Sequence, residues 1–454
     1  MFNSFTRALR AMQFSFPVLA GLIVTLLMVC TAEANANANA AAPEMAHVAW
    51  SRNAVIYQVN VRQYTPEGTF NAFTKQLPNL KKMGVDVIWL MPIQPIGKKN
   101  RKGTLGSYYS ISDYTKTNPE FGSMDDLKTL VKTAHQLGIK VILDWVANHT
   151  AWDHPWATQH KDWYKLNAKG EIYAVTFPSN DGAEPESWSD VIGLNYDNKD
   201  MRKAMSDAMA FWVNNADLDG FRCDVAMLVP QDFWEDTRAR LDKIKPMFML
   251  AEDDHAALHA KAFDMTYAWD FGNLMQSFGS HKTGVQAFRD YINAAKTNYP
   301  NSAYRMLFTS NHDYNSWVGT DAELYGDGYE AMMVMTFTLH GMPLIYGGQE
   351  SRLTKRLEFF EKDPINWKSR ELEPAYTRLI ALKHSNPALA NGQYGGDVTL
   401  LDAGNDSVLA YQRKLGSNVV TVVLNLSKDE QHYQLQNQPA ASLPAWQWKI
   451  DAVK

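Results

Sequence analysis

Over residues 54–384 the chain alternates short, mostly apolar runs with longer stretches of helical spacing. A strand with apolar side chains on both faces needs cover on both faces, as in a parallel sheet clothed by crossover helices. Strand runs are expected over 54–61, 85–90, 141–143, 218–225, 247–250, 265–269, 306–309 and 343–346. Helical spacing falls over 70–83, 123–137, 201–214, 230–244, 330–339 and 374–384. Ser123 is placed to cap its helix, with Asp125 and Asp126 in the first turn and Gly138 at the end. The rhythm predicts an α/β protein built on a (β/α)8 TIM barrel over 43–387. From 388 to 454 the texture changes to short β-rich runs separated by Gly, Asn and Asp turns, which predicts a small C-terminal antiparallel β-domain.

The N-terminus has a different character. Arg7 and Arg10 precede an apolar run over 16–30, and Ala32-Glu33-Ala34 and Ala34-Asn35-Ala36 are small-residue cleavage patterns. The run falls short of the roughly 20 apolar residues of a membrane span. Residues 1–36 therefore read as a signal peptide and spacer. The protein is expected to be exported, periplasmic or secreted, with no membrane span after signal removal. Cleavage would remove Cys30 and leave Cys223 as the only thiol, so no internal disulfide is expected. Hydrophobic residues make up 46% of the chain and charged residues 20%, which excludes a disordered protein. The net charge of −5 offers no basic excess for a nucleic acid backbone. The 14 Trp residues can supply core volume or flat platforms for sugar rings.

In such barrels the chemistry sits at the C-terminal ends of the strands. Those ends carry Asp144, Arg222 with Asp224, Glu252, and His312 with Asp313. One βα unit separates Asp224 from Glu252 and two separate Glu252 from Asp313, taking roughly 31 residues per unit of a 250-residue barrel. The interval from Asp144 to Asp224 exceeds one unit, which places a short insertion after the third strand, over 150–197. It carries Trp152, Trp156, Trp163 and Trp188, either to pack a lid or to wall a cleft.

Several acids in one mouth are costly unless they work. Paired carboxyl groups are the equipment of glycoside hydrolysis. A metal cage is not expected: only His149, His255 and His312 lie nearby, with no H-x-H or HExxH spacing. Arg222 and Asp224 share one strand face, so Arg222 is expected to keep Asp224 ionised. The run over 248–251 predicts an apolar surrounding for Glu252, suited to general-acid work. Cys223 is expected to point the other way, into the strand–helix interface.

The blocks Gly84–Pro92, DWVANH (144–149), GFRCDVA (220–226), Leu250-Ala251-Glu252, TSNHD (309–313) and GMPLIYGGQE (341–350) stand in an order that resembles the α-amylase superfamily, glycoside hydrolase family 13. The resemblance runs over about residues 50–430. It implies Asp224 as nucleophile, Glu252 as acid/base and Asp313 as the residue fixing the ring hydroxyls. It implies Arg222, His149, His312 and Asp144 as substrate-binding neighbours and Tyr109 as the ring-stacking tyrosine. The implied activity is retaining hydrolysis of α-1,4 bonds in starch, glycogen or maltodextrins. Relatives that cleave α-1,6 bonds, transfer or isomerise are the near alternatives, and a barrel retained only for binding is the distant one. Met227 and Leu228 stand where many relatives carry Lys-His, and Ser107 where many carry His. Asn148 matches a family calcium ligand, while Asp190 and Asp197 read as turn residues. No cofactor is expected to be required, with a structural calcium ion allowed but not needed.

Overall fold

The computed structural model describes residues 45–177 and 186–454, so the signal peptide expected over 1–36 lies outside the described residues. Eight parallel strands close into a barrel: β1 (Ile56–Val59), β2 (Val87–Leu90), β3 (Lys140–Trp145), β4 (Gly220–Cys223), β5 (Phe248–Ala251), β6 (Met265–Tyr267), β7 (Tyr304–Leu307) and β8 (Met342–Tyr346). Each strand pairs with the next, and β1 closes the ring on β8 with Ile56 opposite Leu344. Period-two alternation sorts the side chains. Ile56, Trp89, Ile142, Leu250, Tyr267 and Met306 fill the barrel interior, while Tyr57, Ile88, Leu143, Phe221 and Leu307 face the helices. Gly220 is required where it stands, because a Cβ there would lie 2.0 Å from the Phe248 carbonyl oxygen.

The helices follow the expected places with physical amendments. Ser123 caps Met124–Gln136 in a reciprocal capping box with Asp126. The single helix expected over 70–83 is two, Phe70–Thr74 and Leu77–Met83. Pro78 has no N–H to give the Thr74 carbonyl, so the first helix stops and a second begins around it. Strand 54–61 ends earlier, at Val59, and a short turn of helix, Val61–Tyr64, follows. Strand 265–269 shortens to Tyr267 because Trp269 already opens the helix Trp269–Gly279. That helix and Val285–Asn298 were not legible in the spacing. Between β5 and β6 only the 3-10 segment Ala256–Ala260 intervenes, since that connection is too short for a full crossover helix.

The insertion is a three-stranded antiparallel sheet with Glu186–Gly193 between His149–Ala151 and Ala174–Phe177. The C-terminal region is a four-stranded antiparallel sheet, Asp397–Leu401, Val408–Leu415, Asn418–Asn425 and Trp448–Val453, beside the pair Gln431–Tyr433 and Ala441–Leu443. Its buried Arg413 donates to the carbonyls of Gly396 at 2.8 Å and of Leu339 and Ala390 at 3.0 Å, tying sheet to barrel. Among the described residues no helix is long and apolar enough to cross a membrane.

Candidate active site

Strand register assembles the site. Asp144 on β3 lies directly opposite Arg222 on β4, and Arg222 opposite Leu250 on β5, two residues before Glu252. The Arg222 guanidinium is fully buried and touches three carboxylates. Nη1 donates to Asp144 Oδ1 at 2.8 Å and to Asp224 Oδ1 at 2.9 Å. Nη2 lies 2.9 Å from Glu252 Oε2, an ion-pair approach without hydrogen-bond alignment. Its Nε donates to the Tyr267 hydroxyl at 3.1 Å. Burial opposes the charge of Arg222, but Asp144 and Glu252 outweigh it and hold the guanidinium protonated.

Asp313 completes the acid cluster, with Oδ2 at 3.3 Å from His312 Nε2. One buried guanidinium cannot neutralise four crowded carboxyl groups. Burial first, then the charge of Glu252, pushes Asp313 up to about 8. The same two causes push Asp224 well above the usual carboxylate range, against the pull of Arg222. Burial takes Asp144 up to about 6. Against the expectation that Arg222 keeps Asp224 ionised, burial and the charge of Glu252 raise its proton affinity while Arg222 pulls the other way. The surrounding of Glu252 is also not the apolar one expected. The Val225 N–H donates to its Oε2 at 2.6 Å, beside the Arg222 contact. Val225 reaches that position with φ +37°, ψ +49°, a left-handed conformation that costs a β-branched residue energy.

A relay holds the far wall. Gln58 Nε2 donates to His312 Nδ1 at 2.7 Å, which assigns the imidazole proton to Nε2. His312 Nε2 donates to the Tyr109 hydroxyl at 2.7 Å, and that hydroxyl donates to Asp144 Oδ2 at 3.1 Å. Trp89 Nε1 donates to the same Asp144 oxygen at 3.1 Å. Tyr109 and His312 stack with ring centroids 5.4 Å apart. Burial pushes His149 down to about 3 and His312 well below the imidazole range, so both are neutral donors or acceptors.

The structure therefore brings Asp144, Arg222, Asp224, Glu252, His312, Asp313, Tyr109 and His149 together; a cavity of about 110 Å3 is lined by the last three acids together with Tyr109, His149 and His312. Cys223, between Arg222 and Asp224, is buried in the layer beneath the helices, as period-two alternation requires. The insertion divides its tryptophans. Trp156 and Trp163 pack on each other at 5.0 Å, whereas Trp188 stands over His149 at 5.7 Å and faces the cavity. Gln58, Trp89 and Tyr267 were overlooked as site residues. Their signal was available, since each is an inward position near the end of a strand. Trp317, in the one-turn helical segment Tyr314–Val318, and Phe359 and Phe360, in a loop without periodicity, also line the cavity.

Asp190 belongs to a strand rather than a turn, and its Oδ1 is 3.1 Å from Lys102 Nζ. Asp197 is exposed in the turn after it. The Asn148 amide nitrogen faces His149 Nδ1 at 3.2 Å. Among the described residues Asp253, Asp254 and His255 form the one group of three such side chains with ligand atoms within 4.8 Å of one another.

The family model for the catalytic domain of alpha-amylase matches residues 34–384. The chain belongs to the alpha-amylase family. An alpha-amylase of Haloarcula japonica is 28% identical over 409 residues, covering 84% of this chain and 56% of its own length. The chain thus spans little more than half of that relative. The crystal structure of an alpha-amylase from Lactobacillus plantarum superposes with a TM-score of 0.79 at 29% identity, covering 89% of this chain and 100% of that one. A noncanonic maltogenic alpha-amylase from Thermotoga neapolitana gives a TM-score of 0.76 at 28% identity, covering 88% of this chain and 96% of its own. Residues 34–384 span both the barrel and the insertion, so the family assignment rests on the part of the molecule that carries the acid cluster.

Proposed function

We propose that the protein is a retaining α-glucan hydrolase acting on α-1,4 bonds of starch, glycogen or maltodextrins. The observation that carries this reading is the contact of Asp224 and Glu252 with one guanidinium from neighbouring strands. Retaining enzymes hold their two carboxyl groups close, about 5–5.5 Å apart, so that one attacks and the other protonates. Asp224 attacks the anomeric carbon while Glu252 gives its proton to the leaving glycosidic oxygen. Water then enters with Glu252 as base and releases the sugar with the anomeric configuration kept. Asp313 and the neutral histidines fix the ring hydroxyls, and Tyr109 stacks on the ring.

Developing positive charge on the sugar offsets the crowded negative charge, so the acid cluster favours the oxocarbenium-like transition state. We read residues 1–36 as an export signal, which N-terminal sequencing of the mature protein checks. Calcium is dispensable on this reading, because the Lys102 ammonium already stands against Asp190. Melting with and without excess EGTA should coincide.

The deciding experiment is a product profile on soluble starch, pullulan and isomaltose, with the anomer released followed by NMR. Release of the α-anomer from starch supports the proposal. Release of the β-anomer, or redistribution of chain lengths without new reducing ends, overturns it.

A further inference from the structure

We infer that the loop over 97–106 closes one end of the cleft, so that the enzyme takes glucan chains by their non-reducing ends rather than within them. The inference rests on the active-site reading above.

The loop leaves the end of β2 and is fastened on both sides. Toward the insertion, the Lys98 and Lys99 N–H groups both donate to Asp153 Oδ2, at 2.7 and 3.3 Å. Lys102 Nζ sits 3.1 Å from Asp190 Oδ1, whose side chain is only 6% exposed. Toward the loop after β8, the Thr104 N–H donates to Glu361 Oε1 at 2.8 Å and the Leu105 N–H to the Phe360 carbonyl at 3.1 Å. Between these anchors Arg101 knits the segment to itself, donating from Nε to the Gly97 carbonyl at 2.8 Å and from Nη2 to the Ile96 carbonyl at 3.0 Å. Gly103 has φ +62°, and a Cβ there would lie 2.5 Å from Phe360 Cβ. Two tethers, a self-knit centre and a glycine-tight crossing make a rigid strap, not a loose flap.

The strap stands beside the ring-binding wall. Its last turn leads into Tyr109, whose N–H donates to Ser107 Oγ at 3.1 Å. Lys102 from the strap and Phe360 from its landing loop are both walls of the catalytic cavity. That cavity, about 110 Å3, is small beside the roughly 300–1,000 Å3 of ordinary ligand sites. The sugar stacked on Tyr109 is the glycone of the bond being cut. On this inference the strap lies on the glycone side of that ring, where a chain continuing toward its non-reducing end would run into it. A chain that ends there would not.

The test uses the mature protein and two substrates, 4-nitrophenyl maltoheptaoside with its non-reducing end free or capped by an ethylidene group. Loss of starting material is followed by chromatography. The free chain should be consumed at least ten-fold faster than the capped one. A smaller ratio overturns the inference while leaving the hydrolase reading intact. Consumption of neither substrate overturns both. In the doubly substituted Lys102→Ala, Asp153→Ala protein, which loses the tethers to the insertion, the capped chain should gain on the free chain by at least ten-fold. An unchanged ratio in a protein with native circular dichroism assigns the block elsewhere and overturns the inference. If the double variant does not fold, Lys102→Met alone is read by the same ratio, with the same two outcomes.

Discussion

Two aspartates at opposite ends of the barrel show how the same side chain is used in two ways. Asp264 precedes β6 at the N-terminal end and is fully buried. It accepts from His47 Nδ1 at 2.8 Å, from Arg238 Nη1 at 2.7 Å and from the Met249 N–H at 2.8 Å. Burial works against its charge, yet Arg238 and His47 hold the carboxyl below its usual range. Asp313 follows β7 at the C-terminal end, where burial and Glu252 push it up to about 8. Asp219 repeats the first pattern before β4: against burial, His135 and the Val141 N–H take it down to about 2. One end of the barrel compensates its acids, and the other crowds them. The compensated end serves the fold, and the crowded end serves the substrate.

The sharpest way to break this contrast is Asp224→Asn. It should cut turnover of a maltooligosaccharide by at least about 1,000-fold, because it removes the attacking carboxylate and little else. Its melting temperature should not fall, since one acid leaves a crowded cluster. An active variant would refute the nucleophile, and an unfolded one would refute the contrast.

Asp264→Ala should behave in the opposite sense. It leaves Arg238 and His47 without their buried acceptor and should cost about 3 kcal/mol in urea unfolding, with the remaining folded enzyme still active.

A pH series on Asp313→Asn sharpens the comparison further. A carboxyl whose folded pKa is about 8 and whose unfolded pKa is about 3.9 destabilises the fold progressively as pH rises between those values. The variant should therefore gain on the wild type progressively from pH 4 to pH 8, with no further gain above. Asp219→Asn should show the opposite sign. Its wild-type carboxylate stabilises the fold above pH 4, and that advantage disappears as pH falls through about 2. The smallest effect is expected at Cys223. Thiol reagents should leave activity of the folded enzyme unchanged, because the thiol is buried behind the strand that carries Arg222. Rapid inactivation with protection by substrate would reverse that reading.

Much of this was legible in the sequence for one reason. Barrel strands are short and wholly buried, and the residues that end them are forced into the mouth. Asp144, Arg222, Glu252 and His312 are visible on that logic before any coordinates. What escaped lies where periodicity carries no information. Trp448–Val453 is an exposed edge strand, with no apolar run to betray it. Phe359 and Phe360 lie in a loop whose course depends on contacts with Thr104 and Leu105, far away in the chain. The proton affinities escaped for a different cause. Strand order tells which acids meet, but the balance between burial, a single guanidinium and three neighbouring carboxylates depends on distances. Val225 likewise gives no hint in its identity of a left-handed backbone; only the Glu252 contact explains it.

The anchoring of Arg413 bears on how the molecule comes apart when heated. Its guanidinium belongs to the C-terminal sheet, but two of its acceptors, the carbonyls of Leu339 and Ala390, lie outside that sheet. Peeling the sheet away would strand a buried cation on one side and bare carbonyls on the other. Neither piece is left whole, so the sheet is no detachable appendage. In a calorimeter the barrel and the sheet should melt in one endotherm, and a chain cut short before Asp397 should lose the barrel's own cooperativity.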